Sequence, residues 1–352
     1  MHPFLVKYFE IVRKIIPSKA EVPAVGIDIG AGECKLVEIR KIGDKVELLS
    51  WALENVNNND IGASLKKLFT RLENPPQSPY SAVSGKGTLI RYIDMPKMSI
   101  DELKKSFSIE AEKYFPFAQD QIHTDCYIVD EQSKGKQMLV MAAAAKKEII
   151  EERTKLLSSV GLKPEFIGIN PIALANVIHT IGYPQGAAEK DAAVAVLDMG
   201  NSVSNLSIFV NQLPRFSRDI YIGGRDLTTR ISNALEISVE EAEKLKNNPG
   251  DKKDQIQAAC ETAIINLVKE LRLSFDYFTT EKNSEVKRLL LTGGASMLDG
   301  ITGIFEKNLD VPIQLWDPAD QLVMGPKVKK EEFMKVSLKM GVALGLALYH
   351  YD

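Results

Sequence analysis

One short pattern occurs twice in this chain, and it limits the possible folds more than any other feature. Residues 24–29, AVGIDI, form a β-rich run that closes in Asp28-Ile29-Gly30; residues 192–198, AAVAVLD, close in the same way in Asp198-Met199-Gly200. Each Asp-x-Gly is followed by a short polar turn and a second run, CKLVEIR at 34–40 and VSNLSIFV at 203–210. Both copies therefore read as strand, tight hairpin, strand, with glycine supplying the turn. Repetition of such a unit points to a duplicated domain, and a duplicated domain can build a ligand cleft between its halves.

The 352 residues exceed what one ordinary core accommodates, so at least two packing units are expected. Hydrophobic residues at 45% and charged residues at 26% are values of a soluble globular protein. The formal net charge of -3 argues against a nucleic-acid binder, which needs a basic excess to neutralise phosphates. Cys34, Cys126 and Cys260 lie far apart, and no Cys/His cluster has zinc spacing. An odd cysteine count without a secretory leader fits a reducing cytoplasm. No apolar run reaches the roughly 20 residues that span a bilayer, so an integral membrane protein is not expected.

The N-terminus stands apart. In residues 4–16, FLVKYFEIVRKII, Phe4, Leu5, Tyr8, Ile11, Val12 and Ile15 share one helical face, with Lys7, Glu10, Arg13 and Lys14 opposite. Pro17 and Pro23 end the helix. Such a basic amphipathic segment either lies in a membrane interface or docks on its own domain.

Turn and periodicity signals divide the remainder. Strands at 24–29, 34–40 and 46–51 make a meander, and a helix spans about 60–73, before the linker 74–79. Residues 80–145 look like an insert, with strands near 80–84, 88–94, 123–130 and 137–144 and a helix capped by the Ser99/Glu102 box. A helix from Lys146 to Val160 ends at Gly161, and Asn170-Pro171 opens another, with Asn as cap. After the second meander come helices near 224–236, 239–247 and 253–280, a strand at 287–292 entering Thr292-Gly-Gly-Ala-Ser296, and a final helix over 332–349. The domain reading is an N-terminal segment 1–20, a first domain of 21–79 and 146–190 with the C-terminal helix 332–350, the insert 80–145, and a second domain 191–331.

An Asp at a strand end beside a glycine hairpin suits a phosphate or metal–phosphate ligand. Glycine lets main-chain N–H groups approach phosphate oxygens, and the carboxylate can hold hydrated Mg²⁺. Neither GxxxxGK[ST] nor GxGxxG is present, which disfavours the commoner nucleotide-binding loops, and no GxSxG hydrolase signature occurs. His123 and Asp125 share a strand face that reads as solvated.

These residues carry a resemblance. Gly26-Ile27-Asp28-Ile29-Gly30, Leu197-Asp198-Met199-Gly200 and Thr292-Gly293-Gly294-Ala295-Ser296 resemble the two phosphate motifs and the adenosine motif of the actin, sugar-kinase and heat-shock-chaperone ATPase superfamily, in matching order. More narrowly, VGIDIGAGECKLVEI, MPKMSIDELKKSFSIEAEKYFPF from Met95 and GVALGLAL near the end resemble the PilM family of type IV pilus assembly, across nearly the whole chain. The resemblance implies an α/β, duplicated actin-like ATPase fold with an FtsA/PilM-type inserted subdomain and an interdomain nucleotide cleft. ATP and Mg would be the cofactors, with Asp28 and Asp198 holding Mg²⁺ through water. Gly30, Ala31 and Gly32 would face the phosphates and Lys35 would reach the β-phosphate. Gly200, Asn201 and Ser202 would form the second phosphate turn, with Gly224 beyond it. Glu241 and Lys244 would contact ribose, and Gly293, Gly294, Ser296 and Met297 the adenosine. Ala31 stands where many members have Ser or Thr, and Asn170 where some supply a Glu or Gln that activates water, so hydrolysis is expected to be slow or absent.

The same resemblance implies a scaffold at the inner face of the cytoplasmic membrane. Its partner would be the N-terminal cytoplasmic peptide of a PilN-like inner-membrane protein, with contacts to other pilus machinery and motor ATPases. Ile93, Met95, Pro96, Met98, Leu103 and Phe107 are the candidate groove residues; Met95 and Met98 are read as flanking Pro96 in a loop, and Leu103 and Phe107 serve equally as subdomain core. Two other readings stay open: an FtsA-like cell-division tether and a small-molecule kinase of the same superfamily.

Overall fold

The computed structural model describes residues 22–57, 60–72, 78–184 and 191–351; the amphipathic segment 4–16 lies outside them. The first meander is β1 (Ala24–Ile29), β2 (Glu33–Ile42) and β3 (Lys45–Asn55), followed by α1 (Ile61–Thr70) and β4 (Tyr80–Val83). Next come β5 (Thr88–Pro96), α2 (Ile100–Glu110), β6 (Ile122–Lys134) and β7 (Gln137–Lys146), then α3 (Lys147–Ser159), β8 (Phe166–Ile169) and α4 (Asn170–Thr180). The second meander is β9 (Ala193–Met199), β10 (Ser204–Val210) and β11 (Leu213–Ile220). It leads to α5 (Gly224–Leu235), α6 (Val239–Asn247), α7 (Lys253–Lys282), β12 (Val286–Thr292), α8 (Ile301–Glu306), β13 (Ile313–Leu315) and β14 (Val323–Met324). The chain closes with α9 (Lys330–Met334) and α10 (Gly341–Leu348).

Among the described residues the strands form three sheets, and two repeat one topology. The first has the order β14-β3-β2-β1-β4-β8 and the second β11-β10-β9-β12-β13. In each, an antiparallel meander is extended from its first strand by parallel strands: β4 beside β1 in one sheet, β12 beside β9 in the other. The duplicated motif is thus a duplicated sheet. The third sheet, β5-β7-β6, lies in sequence between β4 and α3, with Leu103 and Phe107 of α2 buried in its core.

Strand alternation decides where the two Asp residues point. In β1, Val25, Ile27 and Ile29 pack with Leu65 and Leu68 of α1 and Leu157 of α3, so Gly26 and Asp28 take the opposite face. In β9, Ala193, Ala195 and Leu197 pack with α5 and α7, so Val194, Val196 and Asp198 take the other face. These second faces look toward each other across α4 and α10. Every residue of α10 is buried, as expected for a helix that is apolar all round. It approaches so closely that a Cβ on Gly26 would collide with the Ala343 carbonyl, and one on Gly345 with the Ala173 carbonyl.

Three local expectations are corrected. The single helix expected over 332–349 is broken into α9, a 3-10 turn at Ser337–Lys339, and α10. The cause lies in the neighbouring loop: the Gly293 amide donates to the Leu338 carbonyl at 3.0 Å, and the Thr292 hydroxyl does so at 3.4 Å, drawing that carbonyl out of any continuous helical ladder. Asn170 does not cap α4, which has no side-chain cap, and Ile169 takes the N-cap position. Met95 and Pro96 belong to β5 rather than to a loop, paired with Met138 and Gln137 of β7.

The close approach at Gly345 gives a direct test. Gly345→Ala must move either α10 or α4 and should cost about 3 kcal/mol. A urea-unfolding midpoint unchanged from wild type would show that α10 is free to step away.

Candidate functional site

The first hairpin is closed by the Gly30 amide donating to the Glu33 carbonyl at 3.0 Å, and the second by the Gly200 amide donating to the Val203 carbonyl at 3.1 Å. A side chain on either glycine would crowd the same carbonyl, 3.1 Å away for Gly30 and 2.7 Å for Gly200. The hairpins meet at their tips: a Cβ on Gly32 would come within 3.0 Å of the Asn201 side chain. Two glycine turns from different sheets are therefore in contact, with the Asp28 and Asp198 faces of β1 and β9 directed at one space. Ala31 is exposed in the first turn and Ser202 half-buried in the second.

The third motif closes the same space. Thr292 of β12 pairs with Asp198, and Gly293 follows at φ 86°. A Cβ there would collide with the Asp198 carboxylate and the Met199 backbone. The Ser296 hydroxyl donates to the Gly293 carbonyl at 2.6 Å, so it braces the turn. Met297 is 37% exposed at the end of that turn. At the second hairpin, the first amides of α5 donate into the turn, Gly224 to the Gly200 carbonyl at 2.9 Å and Arg225 to the Asn201 carbonyl at 2.8 Å.

The charges are closely matched. Lys35 stands directly opposite Asp28 across the hairpin, with Nζ 2.9 Å from Oδ2. Desolvation works against the ammonium, but the carboxylates of Asp28 and Glu33 outweigh it and raise its pKa. Desolvation, reinforced by repulsion from Asp28, pushes the Asp198 carboxyl up to about 6. Two carboxylates converging on one space in this way suit a cation between them. Among the described residues no group of three or more His, Cys, Asp and Glu could hold a metal directly. Asp28 and Asp198 would hold a hydrated Mg²⁺, and the shortage of direct donors fits an ion that keeps most of its waters.

Sequence reasoning missed two cations here. Lys339 lays its stem over Gly294, with atoms 3.7 Å from a Cβ built there, and its Nζ is 2.5 Å from Glu33 Oε1. It thereby ties the adenosine-type loop to the first hairpin; nothing in the 3.6 periodicity of 332–349 marks it, because the 3-10 turn that presents it is a tertiary effect. The second is Lys246, buried, with Nζ 2.7 Å from Glu243 Oε2, 2.9 Å from Thr228 Oγ1 and 3.2 Å from the Gly224 carbonyl. The two residues expected at ribose have partners of their own. Glu241 is spent on the capping box with Ser238, and Lys244 pairs with Glu240 in the open. Glu243 and Lys246, with the same spacing two residues on, are the pair that reaches Gly224. The buried i, i+4 positions Ala242 and Lys246 were the available signal.

The insert residues are also redistributed. Met95, Leu103 and Phe107 are buried in the insert core, and Ile93 and Met98 pack against it half-buried, while Pro96 is exposed. His123 and Asp125 are exposed. A channel of about 220 Å³ runs between Thr88 and Arg91 of β5, Ile169 of β8, and Ser217, Asp219 and Tyr221 at β11. Each of these three strands is the edge of its own sheet.

The Asp198 shift has a definite pH signature. A carboxyl raised above its unfolded value favours the fold while protonated. Its contribution is complete below about pH 4 and is lost as pH rises through 6, a loss of up to about 3 kcal/mol. Asp198→Asn should therefore melt higher than wild type at about pH 7.5 and converge with it near pH 4. Parallel melting curves at both pH values would show that Asp198 is not strained in the free protein.

Comparison with known proteins agrees with this geometry. The sequence profile of the family described as "Type IV pilus assembly protein PilM" matches residues 26–351. A solved structure titled "PilM-PilN type IV pilus biogenesis complex" superposes with a TM-score of 0.82 at 26% identity, covering 94% of this chain and 99% of the other. The ethanolamine utilization protein EutJ from Carboxydothermus hydrogenoformans shares the fold, with a TM-score of 0.55 at 16% identity over 95% of this chain and 91% of the other. The cell division protein FtsA of Neisseria meningitidis is 23% identical over 215 residues, covering 52% of this chain and 49% of the relative. That of Enterococcus faecalis is 26% identical over 195 residues, covering 49% and 43%. The chain thus aligns with about half the length of these curated relatives. With three glycine motifs meeting between two copies of one sheet, and the family profile spanning them all, the chain belongs to the PilM family of type IV pilus assembly proteins, on the actin-like ATPase fold.

Proposed function

We propose that this protein is a nucleotide-binding scaffold of a type IV pilus machine. It would hold Mg-ATP between its two Asp-x-Gly hairpins and seat the N-terminal cytoplasmic peptide of a PilN-like inner-membrane protein beside the insert. The observation that carries the first part is the contact of the two hairpins at Gly32 and Asn201, with Asp28 and Asp198 turned into one glycine-walled space. The main-chain amides at the two hairpin tips suit the phosphates, the two carboxylates suit a hydrated Mg²⁺, and Met297 with the Gly293–Gly294 loop suits the base. Glu243 and Lys246, held at Gly224, would take the role on the ribose side that the family resemblance gave to Glu241 and Lys244.

Turnover on this reading is slow. Asn170 offers no general base and Ala31 no hydroxyl. Bound nucleotide would then act chiefly by mass action, adding about 2–3 kcal/mol at a hundredfold excess over Kd and holding the halves together. For the partner, support comes from the channel where β5, β8 and β11 bring three sheet edges together. Edge strands present unpaired main-chain groups to an extended peptide, and the pockets between them select side chains. The residues 4–16 supply a basic amphipathic face that would place the scaffold at the cytoplasmic side of the membrane its partner crosses. No helix among the described residues is long and apolar enough to cross a membrane itself.

Thermal melting with and without Mg-ATP tests the nucleotide reading. Wild type should gain several degrees, and Asp28→Asn should lose that gain with magnesium more than without it. A wild type that shows no shift removes the nucleotide, while hydrolysis at several turnovers per second without a partner removes the scaffold. For the partner, Ser217→Trp should fill the channel and weaken a PilN-type N-terminal peptide by at least roughly tenfold in calorimetry, with the nucleotide shift intact. Loss of binding in Met98→Glu but not in Ser217→Trp would move the peptide to the α2 side of the insert. Deleting residues 1–18 should reduce sedimentation with anionic vesicles without changing the melting temperature, and unchanged sedimentation would assign those residues to the protein itself.

A further inference from the structure

The phosphate hairpin has a third basic neighbour, contributed from the opposite face of the first sheet. Arg153 stands on α3, and its side chain turns back toward the start of that helix, as helical side chains do. Both terminal guanidinium nitrogens reach one atom, the carbonyl oxygen of Ile29, at 3.4 and 3.3 Å. These are long bonds for a group with five donors. Desolvation pulls the Arg153 pKa down, and Asp28 is the largest opposing influence. Yet Asp28 already receives Lys35, and Glu33 already receives Lys339. Among the described residues Arg153 is therefore a cation at the hairpin whose acceptor is a neutral carbonyl and whose donors are mostly unused.

Its position follows from peptide geometry. The Gly30 amide points at β2, where it bonds Glu33. A planar trans peptide then aims the Ile29 carbonyl the other way, toward β4. The pairing of β1 with β4 has already ended at Ile27 and Ser81. The guanidinium thus lies just beyond the carboxyl ends of two parallel strands, the crevice in which open α/β sheets take their ligands. A planar fork in a partly desolvated crevice suits a tetrahedral phosphate better than a carbonyl, because two parallel charge-assisted bonds replace two long ones.

We propose that Arg153 is a contact for the terminal phosphate of the bound nucleotide, reaching it from behind the first hairpin by exchanging the Ile29 carbonyl for phosphate oxygens. The proposal rests on the nucleotide reading above and adds a preference for the triphosphate. Lys35, directly opposite Asp28, serves the inner phosphates, and Arg153 serves the outer one.

Calorimetric titration of the full chain with Mg-ATP and Mg-ADP separates the roles. Arg153→Gln should weaken ATP at least roughly tenfold while leaving ADP within about twofold. Arg153→Lys keeps the charge but not the fork, so it should lower the ATP-to-ADP affinity ratio by a smaller factor. Equal loss of both nucleotides in the two variants would make Arg153 a brace of the hairpin and overturn the proposal, as would an unchanged ratio. Should the Gln variant melt too low to titrate, the ratio in the Lys variant decides alone. A wild type that binds neither nucleotide overturns the cleft reading itself, a result distinct from a wild type that binds both with Arg153 indifferent.

Discussion

The arrangement depends on how closely α10 can lie against β1. With Gly26 on the strand and Gly345 on the helix, backbone meets backbone on both sides of α10. That lets one apolar helix serve as the floor for the first sheet and as a wall toward the second, where Ala343, Leu344 and Ala347 share a core with Val194, Val196 and Leu290. Alternation along β1 and β9 then leaves their last inward-facing residues, Asp28 and Asp198, above that floor with no apolar partner to cover. The functional space is what remains where the packing of the two halves stops.

The charges there are paired in a way that a ligand can rearrange. Lys35 with Asp28 and Lys339 with Glu33 are partly desolvated pairs, which contribute little net stability but fix geometry strongly. On the proposed function, a polyphosphate entering between the hairpins would offer each cation a better acceptor, and a magnesium ion would offer each carboxylate a replacement cation. Among the described residues Asp198 has no such ion pair, and desolvation with repulsion from Asp28 displaces it toward its neutral form. The proposed ligands, an anion and a dication, would together relieve that condition.

Much of this was legible in the sequence because it is local. The hairpin glycines, the strand alternation and the capping box at Ser99 all act through neighbours a few positions away. What could not be read came from distant contacts. The break before α10 is imposed by the Gly293 amide. Lys339 reaches Glu33 only because of that break. On α6, Glu241 also caps the helix with Ser238, and the burial of Lys246 against α5 is a tertiary contact that no local pattern announces. In the insert, Met95 reads as loop beside Pro96, yet an edge strand tolerates proline at its end, so β5 simply continues through it.

The manner in which the insert is attached has its own consequence. It leaves the first sheet after β4 through two left-handed glycines, Gly85 and Gly87, and returns at Lys146, whose amide bonds the Gly87 carbonyl at 2.9 Å. Both ends thus emerge side by side, and topologically the whole three-stranded unit is one long loop. It could be exchanged for another module without re-threading either sheet. The return strand β7 also runs into α3 with no residue between them. The module is also tied to the second half, through Arg215 to Asp130 at 3.0 Å and Lys282 to Asp94 at 3.8 Å, so a pull on it loads both halves of the protein at once.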